Sequence, residues 1–406
     1  MTKLQQIIIA INSFSLGILI PIFNLILLER GASLQTLPLL LGIYAITVLC
    51  LELPSGICAD IYGRKTVFLI SCVMQLISIS FLIVSNNMVW LVFAIIFFGS
   101  GRAFSSGSLD ALFIDQSLAL HGEGCLAKVT ARMAVLDGSA LAVGGITGGI
   151  LSSVTGTFMA NILFRIVLTL MVFSLCLFFI KEQHVHDIKQ RIPLIEHIRQ
   201  GKQVVFSTSK FGFIFLGVFF VGFFLFTIET YWQPAFMLIS TSQNSTWMLG
   251  IIIFFGFLAV TAGNTIVQKL LDRYSNSWWN IYNICRIIFA VFILVFSFQK
   301  SSIGFVAWFT GVYLMLGACN VTENTLINKL TPNNMRASVL SLNSLVAQIG
   351  VLCASIFSSF MILLLQFTGI WIVTGSLLGG YAIVVTVITN RKQAEKPTCK
   401  IESPYP

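Results

Sequence analysis

The sequence predicts an all-α membrane protein with twelve transmembrane helices, arranged as two pseudo-symmetric bundles of six helices. The chain is too apolar for a soluble fold, its apolar segments have the length of membrane spans, and one charged segment divides them into two equal sets. Of the 406 residues, 57% are hydrophobic and 10% are charged. Soluble domains carry roughly 25% charged residues, so most of the apolar side chains must face lipid.

A membrane-spanning helix needs about 20 consecutive, predominantly apolar residues. The first half of the chain contains such segments at 5–28, 34–55, 66–85, 88–112, 127–152 and 158–180. The second half contains them at 211–233, 246–268, 278–298, 303–325, 337–362 and 368–390. The predicted organisation is an N-terminal bundle, a cytoplasmic linker, a C-terminal bundle and a cytoplasmic tail, at residues 1–180, 181–210, 211–390 and 391–406.

Basic residues in the connections predict the orientation, because Lys and Arg accumulate in cytoplasmic loops. If the N-terminus is cytoplasmic, most of them lie in inner connections, including Lys3, Arg64, Lys65, Lys128, Arg132, Lys269, Arg273, Lys329 and Arg336. The outer connections contain Arg30 and Lys300, and Arg165 lies near an outer end. We therefore expect a multi-pass protein of the cell membrane with both termini in the cytoplasm.

Several other classes of protein do not fit this composition. The net charge of +9 is scattered over loops, whereas a nucleic-acid binder clusters its basic residues on one face. The nine cysteines have no paired spacing, and His184, His186 and His197 in the linker fit no common ligand spacing, so we expect neither a disulfide framework nor a metal site. No enzyme motif is present, so we expect no catalytic activity and no cofactor. A membrane sensor remains an alternative.

A charged motif, GICADIYGRK at residues 56–65, interrupts the apolar sequence between the second and third spans. Its glycines, Gly56 and Gly63, predict a tight turn. Asp60 and Arg64 are spaced to pair across one helical turn, and Asp60 could also face the positive N-terminal end of a helix in the other half. We therefore expect a latch that holds the halves in one state, formed by Gly56, Asp60, Gly63, Arg64 and Lys65. The alternative is that these charges only fix the topology.

The order of spans and this motif resemble the major facilitator superfamily over essentially the whole chain. The family signature in this connection is Gly-x-x-x-Asp-x-x-Gly-Arg-Lys/Arg, which residues 56–65 match. A weaker copy, Asp272-Arg273-Tyr274-Ser275, occupies the matching connection of the second half, and residues 331–337 are similar to the family's tenth-to-eleventh loop. The resemblance implies two repeats with substrate bound between them, and Asp115 as a partner for Arg64.

Charged residues within spans indicate a functional site, because each costs about 2.5–3.5 kcal/mol at a helix centre. They are Glu52, Arg102, Asp110, Asp137, Glu229, Arg286 and Glu323. Asp137 and Arg102 lie at similar depths and form the expected central pair, with Asp137 as the carrier of a proton because no span contains a histidine. A purely structural salt bridge is the alternative. Among the other carboxylates, Glu229 and Asp110 are expected to take part in proton coupling. Glu52 and Glu323 are expected to form an inner gate.

Two further segments are similar to drug exporters of the same family, Glu52-Leu53-Pro54-Ser55-Gly56 and Ser106-Gly107-Ser108-Leu109-Asp110-Ala111. With the chain length, they most resemble the tetracycline-efflux branch that uses intramembrane glutamates. The fourth span of the family often carries an arginine linked to proton transfer, as Arg102 does here. Residues 144–149 are close to the Gly-Pro-x-x-Gly-Gly motif of the family's antiporters, with Gly145 in place of the proline; such glycines also allow close helix packing.

The resemblance implies a proton-coupled antiporter that exports a drug. We expect it to act as a monomer in membrane lipid and to accept a drug that arrives free or as a magnesium complex. Side chains along the expected path suit a bulky amphipathic substrate, with the binding candidates Asn12, Glu229, Tyr231, Trp232, Gln233 and Asn320. The chain lacks the first-span aspartate and the intramembrane histidine of the better-known tetracycline exporters. A multidrug or macrolide-type exporter and a nutrient importer are therefore alternatives.

Overall fold

The computed structural model of the chain describes residues 1–182, 209–240, 245–274, 277–331 and 336–394. Every regular element within these ranges is a helix. Outside them lie most of the predicted linker with its three histidines, Ser275 of the second Asp-x-Tyr motif, residues 332–335 and the tail beyond 394.

The first half of the chain, the N-half, contains eight α-helices within the described residues 1–182. They are α1 (Lys3–Leu19), α2 (Phe23–Glu29), α3 (Leu37–Tyr62), α4 (Arg64–Val84), α5 (Met88–Ser105), α6 (Leu109–His121), α7 (Leu126–Thr155) and α8 (Met159–Phe179). These helices form six membrane crossings, because α1 with α2 and α5 with α6 each make one crossing. α1 and α2 form one span bent by 48°, at a break that contains Pro21, which cannot donate a backbone hydrogen bond. α5 and α6 meet at Gly107, whose φ of 71° interrupts the helix and favours glycine.

The second half of the chain, the C-half, contains longer helices. They are α9 (Ser209–Ile239), α10 (Thr246–Arg273), α11 (Trp278–Ser297), α12 (Ser302–Leu330) and α13 (Arg336–Ala394). α13 has 59 residues and leaves the helical conformation at Gln366, with φ 54° and ψ −171°. Since a helix rises about 1.5 Å per residue, α13 is long enough to cross a membrane twice, and Gln366 is where the chain turns back.

The predicted all-α membrane fold is confirmed. Among the described residues, ten helices are long and apolar enough to span a membrane, and the bent pair α1–α2 adds another crossing. One of the ten is α13, and its break at Gln366 divides it into two crossings, which brings the total to twelve.

Two predicted span ends are wrong, and each lies beside a proline that the helix contains. The second span, predicted at 34–55, continues to Tyr62 and contains Pro54 within the helix. The seventh span, predicted at 211–233, continues to Ile239 and contains Pro234. Proline normally predicts a helix end nearby, but membrane helices tolerate it because neighbouring helices and local adjustments satisfy the freed carbonyl groups.

The two faces of the bundle can be named from the chain direction. We call the face that contains Met1 and the connection at Gly63 the terminal face, and the opposite face, where α2 ends at Glu29, the far face. Near the far face one hydrophobic core includes both halves, with Ile18 and Leu27 packed in the same cluster as Ile252. Near the terminal face each half has its own core. These are centred on Ile8, Phe68 and Phe113 in the N-half and on Phe211, Ile214 and Leu326 in the C-half. The halves therefore meet at the far face and separate toward the terminal face.

The glycines of residues 144–149 lie in this far-side contact. A Cβ atom on Gly149 would come within 2.9 Å of the backbone nitrogen of Gly250 in α10, and one on Gly250 within 2.6 Å of the carbonyl oxygen of Gly145. On the other side of α7, a Cβ atom on Gly148 would come within 2.1 Å of the carbonyl oxygen of Ile18 in α1. These glycines allow α7 to pack closely against both halves.

Candidate functional site

Three charged side chains of the N-half lie in its membrane-spanning helices and are exposed. Arg102 is in the last turn of α5, Asp110 is in the first turn of α6, and Asp137 is in the middle of α7. All three are exposed although they lie in helices that span the membrane. Charged residues in such helices face a bundle interior or a water-filled cavity. Asp110 interacts electrostatically with both Asp137 and Arg102, so the three charges form one group, which we call the N-half charge cluster.

Asp137 is bound to α1 rather than to Arg102. Its carboxylate accepts a hydrogen bond from the buried hydroxyl of Ser13. Among the described residues, no ion pair joins Arg102 to Asp137, so the expected central salt bridge is not formed in this conformation. Beside this hydrogen bond, an apolar cleft of about 360 Å³ lies between α1 and α7 and includes Phe14 and Leu136.

Glu229 connects the interior of the C-half to the contact between the halves. Its carboxylate accepts a hydrogen bond from the hydroxyl of Tyr313 in α12. Its backbone carbonyl accepts a hydrogen bond of 2.8 Å from the side chain of Asn24 in α2, which also donates to the carbonyl of Thr230 at 3.0 Å. The Glu229 carboxylate therefore lies close to a contact between the halves.

Hydrogen bonds between the halves close the far side, and we call the group formed by Asn24, Tyr231 and Gln233 the far-face seal. The side-chain oxygen of Gln233 accepts from the backbone of Asn24 at 3.0 Å, and its side-chain nitrogen donates to the carbonyl of Ile20 at 2.7 Å. The Tyr231 hydroxyl lies 3.2 Å from the carbonyl of Leu34. With the separate cores near the terminal face, this seal gives a structure that is closed at the far face and open at the terminal face.

Three of the expected binding residues do not face the open space in this conformation. Tyr231 and Trp232 are fully buried, and Trp232 packs against Phe309 with ring centroids 5.2 Å apart. Gln233 is buried in the far-face seal. Sequence periodicity could not separate core from pathway here, because α9 is apolar around its whole circumference. Asn320 is exposed on α12 and Asn12 is half-buried on α1.

A polar stripe on α12 contains the predicted binding candidate Asn320 and two asparagines that were not predicted. Asn320, Asn324 and Asn328 are spaced by four residues and therefore lie on one helix face. A cleft of about 570 Å³ adjoins this face, and Trp278 and Lys329 also line it. The regular spacing of the amides was the signal that would have found it.

The structure also changes the expected inner gate. Glu323 is buried within the C-half, where its carboxylate lies 2.6 Å from a guanidinium nitrogen of Arg286. Because α12 continues to Leu330, Glu323 is about two turns from the end of the helix and not at the inner end of the span, where a gate was expected. Glu52 is exposed on α3.

The charged motif forms a network at the terminal face of the N-half. Gly63 connects α3 to α4 with φ 90°, which favours glycine, whereas Gly56 lies inside α3. Asp60 lies at the end of α3 and Arg64 at the start of α4, so they do not share a helix. The Arg64 guanidinium forms an ion pair with Asp115 of α6.

Glu182 extends this network and was not predicted. Its two carboxylate oxygens accept hydrogen bonds from the backbone N–H groups of Arg64, at 2.7 Å, and Lys65, at 2.9 Å. A carboxylate is favourable there because the N-terminus of α4 carries unpaired N–H groups and a positive dipole end. The Lys65 side chain donates to the carbonyl of Leu177 at 2.8 Å.

The sequence of this chain matches a known family over most of its length. A model of the Major Facilitator Superfamily matches residues 7–350 and, in an overlapping match, residues 245–403. This chain belongs to the major facilitator superfamily. It is 21% identical over 392 residues to YxaM of Bacillus subtilis strain 168, described as an uncharacterized MFS-type transporter, and the match covers 94% of each chain. It is 24% identical over 329 residues to an uncharacterized transporter of Buchnera aphidicola, which covers 80% of each chain.

Solved structures of other transporters share the fold. The structure of the nucleoside transporter NupG aligns with a TM-score of 0.78 and 12% identity, and covers 96% of this chain and 99% of that chain. A bacterial homolog of the human lysosomal transporter Spinster, in an inward-facing and unoccupied conformation, aligns with a TM-score of 0.70, 12% identity and coverages of 95% and 94%. At these identities the likeness concerns the fold alone. The family match and the many apolar helices make the protein a multi-pass membrane transporter of this superfamily.

Proposed function

We propose that the protein is a proton-coupled antiporter that exports a bulky amphipathic drug by alternating access, with tetracycline as the first compound to test. The observation that carries this proposal is the hydrogen bond between Ser13 and Asp137, which ties an exposed carboxylate in the middle of the membrane to α1. A protonated carboxyl group has a different hydrogen-bonding capacity from a carboxylate. Protonation of Asp137 therefore changes how α7 binds α1.

The bent span α1–α2 provides a route from this carboxylate to the far face. Ser13 lies on α1, and Asn24 of the far-face seal lies on α2 of the same span. If protonation of Asp137 shifts this span, the shift therefore also moves Asn24 in the far-face seal. Asp110 interacts electrostatically with Asp137, and Glu229, bound to Tyr313, is a second candidate carrier.

The proposed orientation places the terminal face in the cytoplasm of the cell, because most of the basic connections lie there. The conformation described here is then open to the cytoplasm, as an exporter requires for loading its substrate. The exposed amide of Asn320 supplies hydrogen-bonding groups in the C-half, and Phe23, Tyr44 and Phe98 form a half-buried aromatic group in the N-half. Such a mixed surface suits an amphipathic molecule, including one carried as a magnesium complex, bound by a monomer.

The energy available is sufficient for export. One charge that crosses 100 mV releases about 2.3 kcal/mol. One proton exchanged for a neutral substrate can thus sustain a gradient of roughly fifty-fold, since about 1.4 kcal/mol corresponds to a factor of ten.

Inverted membrane vesicles test the proposal. Labelled tetracycline should accumulate in vesicles that contain the protein when a proton gradient is present, and a protonophore should abolish the accumulation. Uptake of macrolides or unrelated dyes without uptake of tetracycline would favour the multidrug alternative. Gradient-driven accumulation only in right-side-out vesicles would identify an importer.

A further inference from the structure

Arg165 is a buried cation for which the described part of the chain provides no anion. Its side chain on α8 is 1% exposed. One guanidinium nitrogen donates to the side-chain oxygen of Gln75 at 3.1 Å, and its Nε atom has no hydrogen-bond partner. Among the described residues, no ion pair includes Arg165, and the titratable side chain that interacts with it is the hydroxyl of Tyr44. Burial of an unpaired charge is strongly unfavourable.

The C-half shows how this protein neutralises a buried arginine with its own residues. Arg286 is also fully buried, and Glu323 lies 2.6 Å from it. Where Arg286 contacts a glutamate, Arg165 contacts a glutamine. Gln75 has nearly the same shape as a glutamate but no charge, so the N-half retains a net positive charge at this position.

Arg165 lies directly behind the aromatic group of the N-half. Its guanidinium carbon is 5.2 Å from the ring centroid of Phe98. The Phe98 ring contacts Phe23 at 4.9 Å and Tyr44 at 5.4 Å, and all three rings are half-buried. The Phe98 ring therefore links the buried guanidinium of Arg165 to the other two rings.

A second arginine, Arg102, also interacts with Tyr44. Tyr44 interacts electrostatically with Arg102 as well as with Arg165, and Arg102 is exposed in the N-half charge cluster. Tyr44 contacts the Phe98 ring, which lies over the buried guanidinium of Arg165. Arg102 follows Phe98 by one turn on the same face of α5. A hydroxyl that interacts with two guanidinium groups is an arrangement that binds carboxylates or phosphates, because guanidinium groups donate paired hydrogen bonds to such anions.

We propose that Arg165, Tyr44 and Arg102 form an anion subsite in the N-half. It takes the carboxylate or phosphate group of an amphipathic organic anion, whose apolar part lies against Phe23 and Phe98. The subsite deepens the proposed function by naming a substrate class with a negatively charged group. The subsite rests on the proposed function only in taking its ligand to be a transported substrate. Binding of the ligand requires neither proton coupling nor a direction of transport.

The test uses 2-naphthoate as the anionic probe and 2-naphthamide as its neutral counterpart, with the purified full-length chain in detergent. The midpoint of thermal unfolding is measured against probe concentration, since a ligand that binds the folded state raises it. We expect 2-naphthoate to bind the wild type at least ten-fold more tightly than 2-naphthamide. Gln75→Glu places a carboxylate beside Arg165 and should weaken naphthoate binding at least ten-fold, while naphthamide binding and the ligand-free midpoint do not fall.

Two further variants complete the experiment. Arg165→Gln should lose naphthoate binding if it folds, and Lys300→Gln, which removes a cation at the far face, should bind naphthoate as the wild type does. Equal binding of the two probes by the wild type, or wild-type naphthoate binding by Gln75→Glu, would show that Arg165 is structural. The vesicle assay with tetracycline is a separate measurement, so either proposal can fail alone.

Discussion

Arg286 of α11 and Glu323 of α12 form a buried ion pair of 2.6 Å in the interior of the C-half. The guanidinium also lies 4.0 Å from the ring centroid of Tyr282. The Tyr282 hydroxyl is 3.0 Å from that of Tyr381, which donates to the carbonyl of Phe213 in α9. These contacts connect four helices, so we expect α9, α11, α12 and α13 to move as one rigid unit.

The first prediction concerns this ion pair. Glu323→Gln leaves Arg286 buried without an anion, which should destabilise the protein by about 3–5 kcal/mol. The measurement is thermal or denaturant-induced unfolding in detergent. Glu52→Gln, at an exposed position on α3, is the control and should change stability by less than about 0.5 kcal/mol. Equal stability of the two variants would mean that the ion pair does not hold the C-half together.

The second prediction concerns energy coupling. Asp137→Asn removes the titratable group that binds Ser13 and should abolish uphill transport while downhill exchange of substrate continues. Ser13→Ala keeps the carboxylate and should reduce coupling only in part. Substrate-driven proton movement in reconstituted vesicles is the measurement. If the asparagine variant still moves protons against substrate, Asp137 is structural and Glu229 or Asp110 becomes the carrier to test.

The third prediction concerns the network around the charged motif. Arg64→Ala breaks the ion pair with Asp115, and Asp60→Asn changes the motif's carboxylate. Both should slow alternation between the two states, so that transport falls about ten-fold or more while substrate affinity changes little. Transport rate and equilibrium binding are measured on the same preparations. Wild-type rates in both variants would show that the motif serves only the topology.

The fourth prediction concerns the far-face seal. Gln233→Ala removes two hydrogen bonds between the halves, each worth about 0.5–1.5 kcal/mol, and should shift the population toward the far-open state. Spin labels at the exposed positions Ser33 and Ser301 report the distance across the far face. Thr261→Ala, whose hydroxyl bonds only within its own helix, is the control. An unchanged distance distribution in Gln233→Ala would exclude the seal as a determinant of the equilibrium.

Arg286 and Arg165 illustrate which features of a buried charge can be predicted from the sequence. Arg286 was recognised as an intramembrane charge because it lies well within an apolar segment. Arg165 was placed near an outer end, yet it is buried among α4, α5 and α8. A hydropathy profile shows where along the chain a span lies, but it does not show which side of the helix faces the bundle. The partners of both arginines, Glu323 and Gln75, could not be identified without the packing.

The sequence by itself determined the class, the number of crossings and their order. It could do so because the thickness of the bilayer sets the length of each apolar segment, and because every backbone group in lipid must be satisfied within a helix. Only the tertiary structure decided which polar groups meet. It placed Asp137 against Ser13 rather than Arg102, Glu323 against Arg286, and Tyr231 and Gln233 in the far-face seal. These contacts depend on helix rotation and tilt, which are set by side-chain packing between segments distant in the sequence.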